Sequence, residues 1–410
     1  MKKYIIAVSL IFVAFPSAAQ QTRRLTLNQC IDFAMKGSND IKIAEKGVER
    51  AKIMQGTAWE MEKTELSLSQ DPTSGGSPDN SISLTQAIEF PTVYAARRSQ
   101  LKAEAKAEQS KAEITRRQLS ADIASLYFQL AYQMENIRIL QKNDSYLANY
   151  QKVASKRYET GEARQIESLS AKRMLMENRQ ELVAAQTDFS ATQRQLAALM
   201  NIDGSIVPAE DSLVMIEWKG REYNFMQTAE GQYAQDKLQV ADRGVRVAKS
   251  GYAPSLSLSL RNQLVISSWN PYHADRTKFD GGNFMGFEVG IGVPIFFGAT
   301  KAKVKAAKKE REMAELEMQQ TEKLRKQEYA TCLDNVSRMQ QKVNYYNTAG
   351  KNTADEMMRI GSIEYENGEI SYLEYISIAQ DFIDARMKRA AAINGYNQAV
   401  VSLMRLTGGI

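Results

Sequence analysis

Two periods of hydrophobic and polar residues alternate along the chain. Leu66 and Leu68, Ile82 and Leu84, then Leu256, Leu258 and Leu260, then Phe287, Val289, Ile291 and Val293 are each separated by a small, polar or charged residue. A period of two with one apolar and one polar face specifies strands. It predicts two strand pairs, at about 59–90 and 254–296. Their connections, Asp71 to Asn80 and Trp269 to Gly282, are polar and rich in Pro and Gly, as exposed turns should be. Pro91 and Pro294 close the second strand of each pair, where proline suits a strand end or the first turn of a helix.

After each pair the pattern changes to long, charged, Ala-rich stretches with little Gly or Pro, from Val93 to Arg157 and from Ala299 to Glu364. Both predict very long helices. Sixty-odd residues extend roughly 90 to 100 Å, which no ordinary globular domain can cover. Beyond Gly161, seven-residue steps run through Leu169, Met176 and Val183 and through Leu182, Phe189 and Leu196. Ile376 with Ile383 and Tyr396 with Leu403 repeat the steps beyond Gly368. Apolar seams on two faces predict a helix with neighbours on both sides, as in a bundle wall.

The two halves are copies. Ser155 to Asn201 aligns without gaps on Ser362 to Gly408 at an offset of 207 residues. Tyr158-Glu159 and Gly161-Glu162 match Tyr365-Glu366 and Gly368-Glu369, and Glu167, Ser170, Arg179, Leu196 and Leu199 match Glu374, Ser377, Arg386, Leu403 and Leu406. Each half therefore reads helix, β-hairpin, long helix, return helix. The first repeat is expected over 20–220, with its coiled-coil hairpin at about 92–200 and a linker to 220. The second is expected over 221–410, with its hairpin at about 298–407.

Lys2 and Lys3, an apolar run from Tyr4 to Phe15, Pro16 and then Ser17-Ala18-Ala19 read as a secretory signal peptide, residues 1–19, cleaved after Ala19. Its loss lowers the formal charge from +5 to +3, too mild for nucleic acid. Cys30 follows Asn28-Gln29 rather than the small residues of a lipobox, and Cys332 is too distant for a metal-ligand spacing or a disulfide framework. His273, the single histidine, sits in a polar loop. No phosphate loop, nucleophile elbow or zinc motif is present, so neither catalysis nor a cofactor nor a bound metal is expected. The 18 methionines, such as Met174 and Met176 or Met357 and Met358, are spread at helical positions and fit packing better than soft-metal binding.

Beyond the signal no run of eighteen apolar residues exists, so any membrane passage must be a closed β-barrel. Four strands cannot close one. Two copies would give eight strands around a filled interior and three would give twelve around a lumen, which favours a trimer.

Gly251-Tyr252-Ala253-Pro254-Ser255-Leu256, Val293-Pro294-Ile295-Phe296 and the two Tyr-x-x-Gly turns followed by an acidic residue resemble the TolC-type outer-membrane efflux protein family. The resemblance spans nearly the whole mature chain. It implies a mainly α fold with a membrane β-barrel portion: a homotrimer with a twelve-stranded barrel in outer-membrane lipid, continued by an α-helical barrel across the periplasm. Such a duct is passive. It exports small substrates, metal cations or drugs, delivered by an inner-membrane pump of resistance-nodulation-division type through a periplasmic adaptor.

The resemblance assigns Gly161, Glu162, Gly368 and Glu369 to the periplasmic tips that meet the adaptor. It assigns the channel aperture to Glu374 and its counterpart Glu167, to Tyr365 and Tyr158, and to Ser377, which replaces the family's second acidic position. Glu89-Phe90-Pro91-Thr92-Val93-Tyr94 resembles the metal-cation branch. A duct for type I protein secretion, or in another class a periplasmic adaptor or structural coiled coil, remains the alternative. Two complete helix-and-hairpin units argue against the latter class.

Overall fold

The computed structural model describes residues 23–72, 78–218, 220, 222–264 and 284–409. The expected signal peptide, the Trp269 to Gly282 connection with His273, and the tip of the first connection lie outside them. In chain order the elements are β1 (Arg23–Leu25), α1 (Leu27–Gly37), α2 (Asn39–Met54), β2 (Glu65–Pro72), β3 (Pro78–Glu89), α3 (Pro91–Glu159), α4 (Gln165–Met200), β4 (Ile206–Pro208), α5 (Ala229–Ser250), β5 (Ser255–Leu264), β6 (Phe284–Gly292), α6 (Gly298–Asn347), α7 (Ala349–Glu366) and α8 (Tyr372–Thr407).

Strands β2, β3, β5 and β6 form one antiparallel sheet in that order. Pairing Leu66 with Leu84, Leu84 with Leu260 and Leu260 with Phe287 puts the alternating apolar residues on one face. Most of that face is exposed: Leu68, Leu258, Phe287 and Ile291 are open to the surroundings, and among its described apolar residues only Ile88 and Leu256, near the helical end, are half-buried. The opposite face is built of small hydroxyls. Ser67 and Ser83 share a hydrogen bond of 2.7 Å, and Thr85 and Ser259 one of 2.9 Å. Gly290 and Gly292 face Ser257 and Ser255, whose Oγ atoms would lie 2.3 and 2.5 Å from an added Cβ, so no larger residue fits there without shifting a neighbour. The strands are shorter than the sequence pattern suggested. Trp59 belongs to a 3-10 turn, Gln55–Trp59, and stacks on Tyr94 at 5.3 Å instead of opening β2.

Helix α3 runs unbroken for 69 residues, about 100 Å at 1.5 Å per residue. Pro91 occupies its first turn, where the missing N–H is harmless. It packs against α4, α5 and α8 along its length. Buried Ala103, Ala105, Ala107, Ala121, Ala124 and Ala131 let these neighbours approach closely.

The second long helix is not continuous as expected. It breaks at Thr348 (φ −115°, ψ −96°), between α6 and α7. The cause is local: Asn347-Thr348 and Gly350 are weak helix formers, and the chain packs so tightly there that a Cβ on Gly350 would lie 3.3 Å from both the Tyr345 and Tyr346 rings. The same stretch of the first repeat carries Leu140-Gln141-Lys142 and stays helical.

The apolar seams are covered differently in the two repeats, because Ile376 and Ile383 correspond to Leu169 and Met176. Leu196, Ile376, Ile383, Tyr396 and Leu403 are buried, whereas Leu169, Met176 and Val183 are 54 %, 60 % and 56 % exposed. A parallel pairing of β1 with β4, from Arg23 with Ile206 to Leu25 with Pro208, ties the beginning of the described chain to the linker. Beside it Cys30 is fully buried, and desolvation, with a smaller push from Glu210, raises its thiol to about 12. The half-buried Cys332 is likewise raised, mainly by burial, which disfavours the reactive thiolate at both positions.

Candidate functional site: the paired helix tips

Both turns that join a long helix to its return helix depend on a left-handed glycine. Gly161 has φ +78° and Gly368 φ +75°, and neither has an atom within 4 Å of an added Cβ. Their requirement is conformational, since an L side chain is penalised in this region. The two turns are closed alike. Glu162 N–H donates to Arg157 O and Glu369 N–H to Glu364 O, both at 2.8 Å. Glu162 and Glu369 are exposed, and Glu162 lies 4.0 Å from Arg157.

The starts of the return helices differ. Arg164 offers α4 no side-chain cap, whereas Ser371 and Glu374 form a capping box. Ser371 N–H donates to Glu374 Oε2 at 2.8 Å, and Glu374 N–H donates to Ser371 Oγ at 3.3 Å. The bond from the Ser371 backbone, then that involving its side chain, holds the Glu374 carboxyl below the ordinary glutamate range. Glu374 is therefore an exposed, ionised group fixed in place by its own helix. Ser377, one turn further, is exposed. Glu167 is half-buried, and its charge adds to the burial that raises the Tyr150 phenol.

Aromatic packing separates the two repeats most. Tyr158 is 43 % exposed and, among the described residues, joins no ring pair. Tyr365 stacks on Tyr375 at 4.8 Å and contacts Tyr372 at 5.1 Å, and Tyr372 meets Tyr150 of α3 at 4.6 Å. The four rings join Leu147, Ala154, Ala171, Leu175 and Ile376 in one cluster that binds the first tip to the second. Burial, and then the neighbouring tyrosines, raise the Tyr372 phenol. Tyr150, Tyr372 and Tyr375 escape a reading based on repeat symmetry, because the positions matching Tyr372 and Tyr375 are Gln165 and Ser168. That departure from symmetry is the signal that could have found them.

The hairpins also differ in how their helices meet. Buried Ala154 and Ala171 in the first repeat match Gly361 and Ile378 in the second. A Cβ on Gly361 would lie 2.8 Å from Ile378 Cδ1, so a larger residue on one helix is accommodated by a smaller one on the other.

This architecture of a four-stranded sheet on duplicated helical hairpins has a family. The model of the outer membrane efflux protein family matches residues 56–202 and 232–409. The chain belongs to that family. Its members are outer-membrane efflux channels rather than enzymes. Solved channels share the fold at low identity. The CmeC outer membrane channel of Campylobacter jejuni matches with a TM-score of 0.74 and 18 % identity, over 93 % of this chain and 85 % of that one. VceC of Vibrio cholerae gives 0.72 and 17 % over 93 % and 96 %, and CusC gives 0.77 and 16 % over 99 % and 98 %. A comparison with curated proteins gives no match. Among the described residues of this efflux protein no helix is long and apolar enough to cross a membrane.

Proposed function

We propose that three copies of this chain form the outer-membrane exit duct of a tripartite efflux system, taking small substrates from an inner-membrane pump through a periplasmic adaptor. The observation that carries the reading is the sheet, whose apolar face is largely exposed and whose edge strands β2 and β6 have, among the described residues, no partner on their outer sides. An open edge is untenable in lipid. Pairing β6 of one copy with β2 of the next removes every edge, and three copies give twelve strands around a lumen. The exposed seam of Leu169, Met176 and Val183 on α4, with exposed Leu316 and Leu324 on α6, supports side-by-side packing of helices below the barrel.

On this reading Gly161, Glu162, Gly368 and Glu369 meet the adaptor. Glu167, Glu374, Ser377 and Tyr365 surround the mouth, and the tyrosine cluster holds the second hairpin closed. Exposed Tyr158 then serves the tip surface rather than the closure. The carboxylates at the tips and the Glu89 to Tyr94 stretch support cation cargo. Detergent-extracted protein is expected to run as a heat-modifiable three-chain species that conducts ions in a planar bilayer. A monomer without conductance overturns the proposal. Glu374→Gln, which keeps the capping box while removing the charge, should lower cation selectivity without loss of the trimer.

A further inference from the structure

The charges on α6 are not evenly mixed. From Gly298 through Lys309 the helix carries Lys301, Lys303, Lys305, Lys308 and Lys309 and no acidic residue. Beyond that point Glu310, Glu312, Glu315, Glu317 and Glu322 intersperse the cations. Lys309 reaches Glu312 at 2.6 Å and Arg311 reaches Asp242 at 3.5 Å. Among the described residues no acidic side chain pairs with Lys301, Lys303, Lys305 or Lys308, and all four are exposed. Lys301, Lys305 and Lys308, at spacings of four and three, share one face of the helix. The corresponding root of α3 is mixed: Arg98 and Lys102 are exposed with no ion pair among the described residues, but Arg97 pairs with Glu89, Lys106 pairs with the buried Asp236 at 2.8 Å, and Glu104 lies between them. A solvated helix face gains from mixed signs, so concentrating unpaired lysines in three turns carries a small repulsive cost that an anionic partner would relieve.

The position of the stripe names that partner. The residues between β6 and α6 include Val293, Ile295, Phe296 and Phe297, which are exposed, Phe296 to 92 %. Tyr252, also exposed, leans on Phe297 at 5.8 Å. They continue the apolar face of the sheet to its end. At 1.5 Å per residue Lys301 lies about 5 Å below the first residue of α6 and Lys308 about 15 Å. A headgroup layer is some 5 to 8 Å deep and the screening length about 8 Å, so the whole stripe is within reach of a charged membrane surface.

We infer that Lys301, Lys305 and Lys308 form a binding surface for the headgroups of anionic phospholipid in the membrane leaflet that faces the periplasm. The inference rests on the sheet lying in the outer membrane. Lysines provide point charges that follow a mobile, fluid headgroup layer, and the aromatic shelf above them fixes their depth. The lipid thereby sets the height and tilt of α6 relative to the bilayer, and α6 is joined at Thr348 to the helix that carries Tyr365.

The test uses full-length protein in mild detergent with fluorescent phosphatidylglycerol as the probe, phosphatidylethanolamine as the neutral-lipid control and inorganic phosphate as competitor. Wild type is expected to bind phosphatidylglycerol at least tenfold more tightly than phosphatidylethanolamine, with millimolar phosphate unable to displace it. The triple variant Lys301→Glu, Lys305→Glu, Lys308→Glu should bind it about a hundredfold more weakly. Lys323→Glu, lower on the same helix, should leave binding unchanged. Conductance is measured on the same samples. A pore-forming wild type with no phosphatidylglycerol preference overturns this inference while leaving the duct intact. A triple variant that keeps its lipid affinity but changes ion selectivity overturns it too, by placing the stripe in the lumen. Absence of any pore removes the membrane reading itself.

Discussion

Replacing Tyr372 by alanine tests whether aromatic packing sets the position of the second hairpin. Tyr372 is 9 % exposed, and its ring lies 4.6 Å from Tyr150, 5.1 Å from Tyr365 and 6.2 Å from Tyr375. Truncating a buried aromatic to alanine typically costs about 3 to 5 kcal/mol. The tip can relax toward solvent, so the lower end, about 3 kcal/mol, applies. The contact joins α8 to α3 rather than completing either helix, so the loss falls on the relative placement of the hairpins. A bias of about 3 kcal/mol corresponds to roughly two orders of magnitude in the population of a displaced tip. Hydrogen exchange at the amides of Tyr365 to Ile376 should accelerate by about that factor, and single-channel recordings should show a longer open time. Tyr372→Phe keeps the ring contacts and should remain within about 1 kcal/mol of wild type. Unchanged exchange at the tip in Tyr372→Ala refutes the reasoning. A lowered Tm with unchanged open time refutes the gating half of it, leaving the cluster as packing alone.

The complementary sizes at the α7–α8 contact predict coupling: Gly361→Ala should destabilise by about 1 kcal/mol through Ile378, and Ile378→Ala should offset most of that loss in a double-mutant cycle read by denaturant titration. Additive effects would show that the close approach at Gly361 is incidental. Because the folded-state pKa of Glu374 is depressed, its capping contribution is present above the ordinary glutamate value and fades as pH falls through the folded value. Amide protection at the start of α8 should thus drop on acidification below about pH 4.5 in wild type and not in Glu374→Gln. Asp236 is 2 % exposed and accepts from Ser110 at 2.6 Å while pairing with Lys106, so Asp236→Ala should cost about 2 kcal/mol in a thermal melt by loosening α5 from α3.

Much of this protein is legible in one dimension because its elements are long and their periods are short-range. Alternation at Leu256, Leu258 and Leu260 fixes a strand and its apolar side. The Ala-rich run after Pro91 fixes a helix, and the repeat at an offset of 207 residues fixes the positions of both glycine turns. Glu374 was identifiable as a residue near the second tip. That its carboxylate returns to Ser371 N–H is a matter of geometry, although the Ser-x-x-Glu spacing permits it.

Tertiary structure decided what joins the copies. The two hairpins fuse into one sheet through β3 and β5, from Asn80 with Leu264 to Glu89 with Ser255, and nothing local requires that pairing. Tyr150 meets Tyr372 across 222 positions of sequence, and the repeat conceals the contact because only the second copy carries the ring. The break at Thr348, by contrast, is local, set by weak helix formers and by the Tyr345 and Tyr346 rings against Gly350, and the Ala-rich charged pattern does not reveal it. The sequence by itself thus determined the type and apolar faces of the long elements, since those depend on neighbours two to four positions away, though it determined neither the break at Thr348 nor the 3-10 turn at Gln55–Trp59. Only the fold decided which distant faces meet, because that choice depends on competition among all buried surfaces at once.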